Sequence, residues 1–204
     1  MYLVKTPSLI QQLFPNYLWR IPTHEKVLYL TFDDGPIPAI TPWVLDTLRA
    51  YQVKATFFCV GDNIRKHPAI FQQLLQEGHT VGNHTFHHLD GWKTATESYL
   101  DNVKKCSEYI TTSTFFRPPY GHLCPKQAKA IQQSHKIVLW DVLSGDFDVK
   151  LTPEKCLHNI VSNTTKGSII VFHDSLKAAP RLKYCLPKIL NHYSEKGFRF
   201  ESLR

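Results

Sequence analysis

The sequence predicts a single α/β domain built on a parallel sheet, with a closed or partly closed barrel preferred over a doubly wound open sheet. Three observations carry this. Apolar, β-rich runs recur at 27–32, 54–60, 79–83, 114–117, 136–142, 168–173 and 198–203, and segments of helical spacing lie between them. Strand and helix in alternation demand crossover connections, and therefore parallel strands. The runs are nearly continuous in apolar residues, as strands covered on both faces must be. No linker, repeat or low-complexity segment breaks the pattern, so residues 1–204 read as one domain.

Taken in order, the first run, Val27-Leu28-Tyr29-Leu30, leads into Thr31-Phe32-Asp33-Asp34-Gly35-Pro36. This buried strand ends on two adjacent carboxylates and a Gly-Pro turn. Thr41-Pro42 then opens a helix, with proline suited to its first position and Val44, Leu45 and Leu48 on one face. After the second run, Pro68 opens another helix with Ile70, Phe71, Leu74 and Leu75 periodic and Gly78 as its stop. Helical spacing recurs at 98–110, 125–133, 153–161 and 182–193.

The chain has 204 residues, of which 43% are hydrophobic and 12% aromatic, enough for a substantial core. No apolar run is long enough to span a bilayer. Residues 1–14 lack the apolar centre and small-residue cleavage site of a signal peptide. The expectation is a cytoplasmic protein, or an exported one whose signal is not part of this sequence. Five scattered cysteines, an odd number with no C-x-x-C pair, read as free thiols. The net charge of +7 suits anionic partners, but the basic residues are dispersed and no nucleic-acid-binding motif accompanies them. An acidic polymer such as a cell wall is compatible with that charge, nucleic acid is not expected, and nothing speaks to oligomeric state.

The chemistry gathers at strand ends. Two like charges at Asp33-Asp34 disfavour folding unless neutralised, and a divalent cation does this. The third run ends in Gly82-Asn83-His84-Thr85-Phe86-His87-His88. His84 and His88 share a face if this stretch makes a helical turn, and His87 competes as a ligand. Two imidazoles and one carboxylate leave a coordination position open, which is the catalytic pattern for zinc. Arg117, in Phe116-Arg117-Pro118-Pro119-Tyr120-Gly121, suits bidentate pairing with a carboxylate. The two prolines donate no N–H, so the next free amide is that of Tyr120, and a rigidly aimed amide suits an oxyanion. The fifth run leads into Trp140-Asp141-Val142-Leu143-Ser144-Gly145-Asp146-Phe147, and the sixth ends in Val171-Phe172-His173-Asp174. His173 is a candidate proton carrier whose pKa a nearby aspartate would raise. In parallel α/β folds these strand ends share one face, where active sites form.

In this order the motifs resemble the polysaccharide deacetylase family, also described as the NodB homology domain or carbohydrate esterase family 4. They are Thr-Phe-Asp-Asp-Gly-Pro, His-Thr-x-x-His, Arg-Pro-Pro-Tyr-Gly, Trp-x-Val-x-x-x-Asp-aromatic and apolar-x-His. The resemblance spans 27–203 and implies a distorted (β/α) barrel of about seven strands. It implies Asp33 as general base, and Asp34, His84 and His88 as ligands of a divalent metal, zinc above others. Arg117 would orient Asp33, the Tyr120 amide would stabilise the oxyanion, and His173, tuned by Asp146, would be the general acid. Phe147 stands where the family commonly has Trp, and Val171 where it commonly has Leu. Both stay apolar, so with Tyr120 they bear on substrate fit rather than on the chemistry.

The implied activity is metal-dependent removal of N-acetyl groups from N-acetylglucosamine units of a peptidoglycan- or chitin-type glycan. An O-acetyl xylan esterase on the same scaffold and a catalytically silent carbohydrate-binding module are the alternatives.

Overall fold

The computed structural model describes residues 2–204. Helix α1 (Ser8–Leu13) precedes strand β1 (Val27–Asp33), helix α2 (Thr41–Ala50) and strand β2 (Thr56–Cys59). Two helices, α3 (Gly61–Lys66) and α4 (Pro68–Gln76), then lead to β3 (Thr80–Asn83), α5 (Thr96–Ser107) and β4 (Phe115–Phe116). After α6 (Pro125–Ile131) come β5 (Lys136–Ile137) and β6 (Val142–Leu143). The chain finishes with α7 (Pro153–Val161), β7 (Ile169–His173), α8 (Ala179–Glu195) and β8 (Arg199–Phe200).

All seven runs expected to be strands contribute to one parallel sheet, but the fifth run splits in two. The sheet order is β5-β4-β3-β2-β1-β7-β6, with β8 added to the start of β1. Strands β5 and β6 are therefore at opposite ends of the order, yet only residues 138–141 separate them. A fully extended chain spans at most about 3.3–3.6 Å per residue, so the sheet must curl until its ends nearly meet. The run 136–142 is the seam of a distorted barrel. Between β5 and β6 the Val138 and Asp141 amides still donate to Phe116 O and Ile169 O, while the N-terminal segment pairs along the seam: Leu139 N bonds to Leu18 O, and Thr6 N to Asp141 O. The buried Asp141 carboxylate receives Lys5 Nζ at 2.7 Å and Ser168 Oγ at 2.5 Å.

Alternation along β1 sorts its side chains. Leu28, Leu30 and Phe32 join the core between sheet and helices, where Phe32 stacks with Phe57 and Phe172. Tyr29 packs on the other face with Phe58, Val138 and Ile169, and Thr31 and Asp33 share that face. The expected helices form at their expected proline starts, and Gly78 stops α4 in a left-handed conformation at φ 74°. All five cysteines are free, and Cys124 alone among them is not fully buried. Among the described residues, no helix is long and apolar enough to cross a membrane.

Candidate active site

The ends of β1, β3, β4 and β7, with the segment after β6, converge on a cavity of about 420 Å³. Asp33, Asp34, His84, His88, Tyr120, Phe147, Val171 and His173 all line it. Asp33 and His173 are register partners at the ends of β1 and β7.

Arg117 is fully buried behind Asp33. Its Nη1 donates to Asp33 Oδ1 and to Thr31 Oγ1, both at 2.7 Å. Nη2 donates to Leu139 O and Nε to Val138 O, and the guanidinium lies over the Phe58 ring. The pairing is thus a single contact with Asp33 rather than the bidentate one the sequence suggests. The reason is local: seam carbonyls freed from the sheet ladder take the other donors.

Asp34 turns away from Asp33 with φ 87°. One ligand atom from each of Asp34, His84 and His88 lies within 4.8 Å of the others. Asp34 Oδ1 is 3.3 Å from His88 Nε2 and 3.9 Å from His84 Nε2, and it is buried without a hydrogen-bond partner. An orphaned buried carboxylate oxygen facing two imidazole nitrogens fits a cation. His84 Nδ1 is 2.7 Å from Arg117 O. A carbonyl only accepts, so Nδ1 carries the hydrogen and Nε2 keeps its lone pair. Burial pushes the His84 imidazole down to about 4, against the pull of Asp33 and Asp34, which keeps it neutral as a ligand must be. Burial would raise the Asp34 carboxyl, but the His88 hydrogen bond and the charge of His173 outweigh it. They hold Asp34 well below the usual carboxylate range.

The stretch 84–88 is not helical, contrary to the turn that would align His84 with His88. Thr85 and His88 adopt φ of 62° and 55° instead, and this folds the two imidazoles together. His87, the competing ligand, is turned aside, its Nδ1 2.9 Å from Asn102 Nδ2. Tyr120, at φ 61°, sits in the tight turn set by Pro118 and Pro119. Asp34, Thr85, His88 and Tyr120 make four of the five non-glycine residues at positive φ among those described. Backbone strain of this kind clusters where structure over-determines it for function.

On the opposite wall, His173 Nδ1 is 2.7 Å from Asp146 Oδ1, and Asp146 Oδ2 accepts the His173 amide. Burial would lower the imidazole, but the Asp146 charge and hydrogen bond, helped by Asp34 and Asp33, push it up to about 9. Phe147 packs edge-on against His173, and the Tyr2 ring lies 4.9 Å from Phe147. Trp140, Leu143 and Tyr2 also line the cavity. Trp140 had a signal in its motif, whereas nothing in the sequence marks Tyr2. Asp174 is a further buried group: its carboxyl oxygens accept from Gly35 N and Thr41 Oγ1. Burial pushes it up to about 8.

A family model described as polysaccharide deacetylase matches residues 20–139. A peptidoglycan-N-acetylglucosamine deacetylase of Bacillus cereus is 34% identical over 89% of this chain and 88% of its own length. A chitooligosaccharide deacetylase of Azorhizobium caulinodans is 35% identical over 76% of this chain and 77% of its own. The solved structure of the Bc1960 peptidoglycan N-acetylglucosamine deacetylase superposes with a TM-score of 0.89 at 32% identity, covering 97% of this chain and 95% of that one.

Proposed function

The chain belongs to the polysaccharide deacetylase family, and from that premise we propose that it hydrolyses N-acetyl groups on N-acetylglucosamine units of a peptidoglycan- or chitin-type glycan. The observation that carries the reading is the division of labour across one cavity. An arginine-held carboxylate, Asp33, and an aspartate-held imidazole, His173, face each other beside the Asp34–His84–His88 cluster.

In this reading Asp34, His84 and His88 hold one divalent ion, with zinc suited to two imidazoles and a carboxylate. When bound, such an ion polarises a carbonyl and makes water nucleophilic near neutral pH. Asp33 Oδ2 takes the proton of the attacking water while Arg117 holds Oδ1. The Tyr120 amide donates to the oxygen of the tetrahedral intermediate. His173 donates from Nε2 to the departing nitrogen, since Nδ1 faces Asp146. Water is added across the C–N bond, giving acetate and a free sugar amine. Phe147, Val171 and Leu143 are among the apolar groups available to the acetyl methyl.

The raised His173 suits an amide substrate. An amine leaves poorly unless protonated, and an imidazole near 9 is in its acid form at neutral pH. Acetate release from N-acetylated chitin and peptidoglycan fragments, against O-acetylated xylan, tests the choice. Faster release from xylan would replace this reading with the esterase.

A further inference from the structure

Resting on the deacetylase reading, we propose that the exposed indole of Trp92, backed on one face by the His122 ring and joined through it to Tyr120, offers its other face as a stacking platform for the glycan. It receives a sugar ring of the chain beyond the unit being deacetylated.

The rings form a row that begins inside the catalytic cavity. His88 and Tyr120 have centroids 4.8 Å apart, Tyr120 and His122 5.8 Å, and His122 and Trp92 3.6 Å with planes only 6° apart. Tyr120 and His122 line the cavity and Trp92 lies beyond it. Trp92 is 64% exposed and Tyr120 60%. Scattered exposed apolar side chains need no explanation, but two exposed aromatic rings joined through the half-buried His122 into a row that runs into a cavity do.

The exposed indole is also held still. Asp90 Oδ1 is 3.0 Å from both His122 Nδ1 and the Trp92 amide nitrogen, and Trp92 Nε1 donates to Leu123 O at 3.3 Å. The carbonyl of Gly91 accepts from the buried Gln127 side chain at 2.9 Å. Gly91 approaches the next loop so closely that a Cβ there would lie 2.3 Å from His122 O. The loop therefore aims an apolar ring at solvent and fixes it, and a pre-organised ring binds with little further ordering. A pyranose offers a face of C–H groups ringed by hydroxyls, which suits a flat aromatic body with polar edges. A row one ring wide that continues a catalytic cavity suits a linear chain of such units.

The test uses zinc-loaded protein and N-acetylglucosamine oligomers of two to six units. Trp92→Ala should lower kcat/KM about tenfold on the longest oligomer and leave the two-unit substrate unchanged. Trp92→Tyr should restore most of the loss. Equal rates for Trp92→Ala and the parent at every length, or an equal loss at every length, would overturn the platform. If the parent releases no acetate from any oligomer, peptidoglycan fragments decide the deacetylase reading and calorimetric binding of the six-unit oligomer decides the platform. Weaker binding by Trp92→Ala supports it, and unchanged binding, or none by the parent, overturns it.

Discussion

Arg117 Nη1 stands 2.7 Å from Asp33 Oδ1, with the two side chains 0% and 5% exposed. Arg117→Met would leave the Asp33 charge buried and unpaired, at a cost of about 3–5 kcal/mol. Urea unfolding measures it. Adding Asp33→Asn should recover a large part, because the uncompensated charge is then gone. A loss for Arg117→Met below about 1 kcal/mol would mean that Asp33 is not ionised against it.

The adjacent aspartates point to different partners, so their amides should fail differently. Asp33→Asn keeps the ligand cluster and should retain metal, losing about 10²–10⁴-fold in rate with the general base. Asp34→Asn removes the orphaned oxygen that faces His84 and His88. Its rate should fall with metal affinity and recover in part with excess metal. A titration of metal content and acetate release separates them, and the reverse pattern would exchange the two roles.

A general acid must be protonated, so acetate release should decline as pH rises through about 9, the value to which Asp146 lifts His173. Asp146→Asn removes that lift and should move the alkaline limb to lower pH. Folding carries the same sign. The folded value exceeds the ordinary 6.5, so the pair's contribution is full below 6.5 and is lost as pH rises through about 9. Urea unfolding of metal-free protein should show this loss, and Asp146→Asn should flatten it. An unmoved alkaline limb in Asp146→Asn removes Asp146 from its role.

A Cβ at Gly35 would fall 2.0 Å from Asp174 Oδ2. Gly35→Ala must therefore displace Asp174 from the Gly35 amide and the Thr41 hydroxyl, at a cost of about 1–3 kcal/mol. Thermal unfolding reads this, and a change within about 0.5 kcal/mol would show the turn to be slack.

Asp33, Asp34, Arg117 and His173 were legible because each follows an apolar run, and parallel strands bring such positions to one rim. The approach of His84 to His88 was not legible as it occurs. It depends on left-handed Thr85 and His88, and neither residue type announces that conformation. The run 136–142 looked like one strand because its apolar pattern is unbroken. Its division follows from barrel closure, to which local periodicity is blind. The pairing of Val4, Thr6 and Leu18 with this seam leaves no periodic pattern either, and the short helices α1 and α3 carry too few turns to declare one. Trp92 lies in no motif, and only the ring geometry around it draws notice.

Metal-dependent hydrolysis of N-acetylated glycan is tested most directly by acetate release from acetylated chitin and peptidoglycan fragments. Metal-replete protein should release acetate, a chelator should abolish the release, and added zinc should restore it. Release that persists undiminished after the metal is stripped, or none from any N-acetylated fragment with zinc bound, would contradict it.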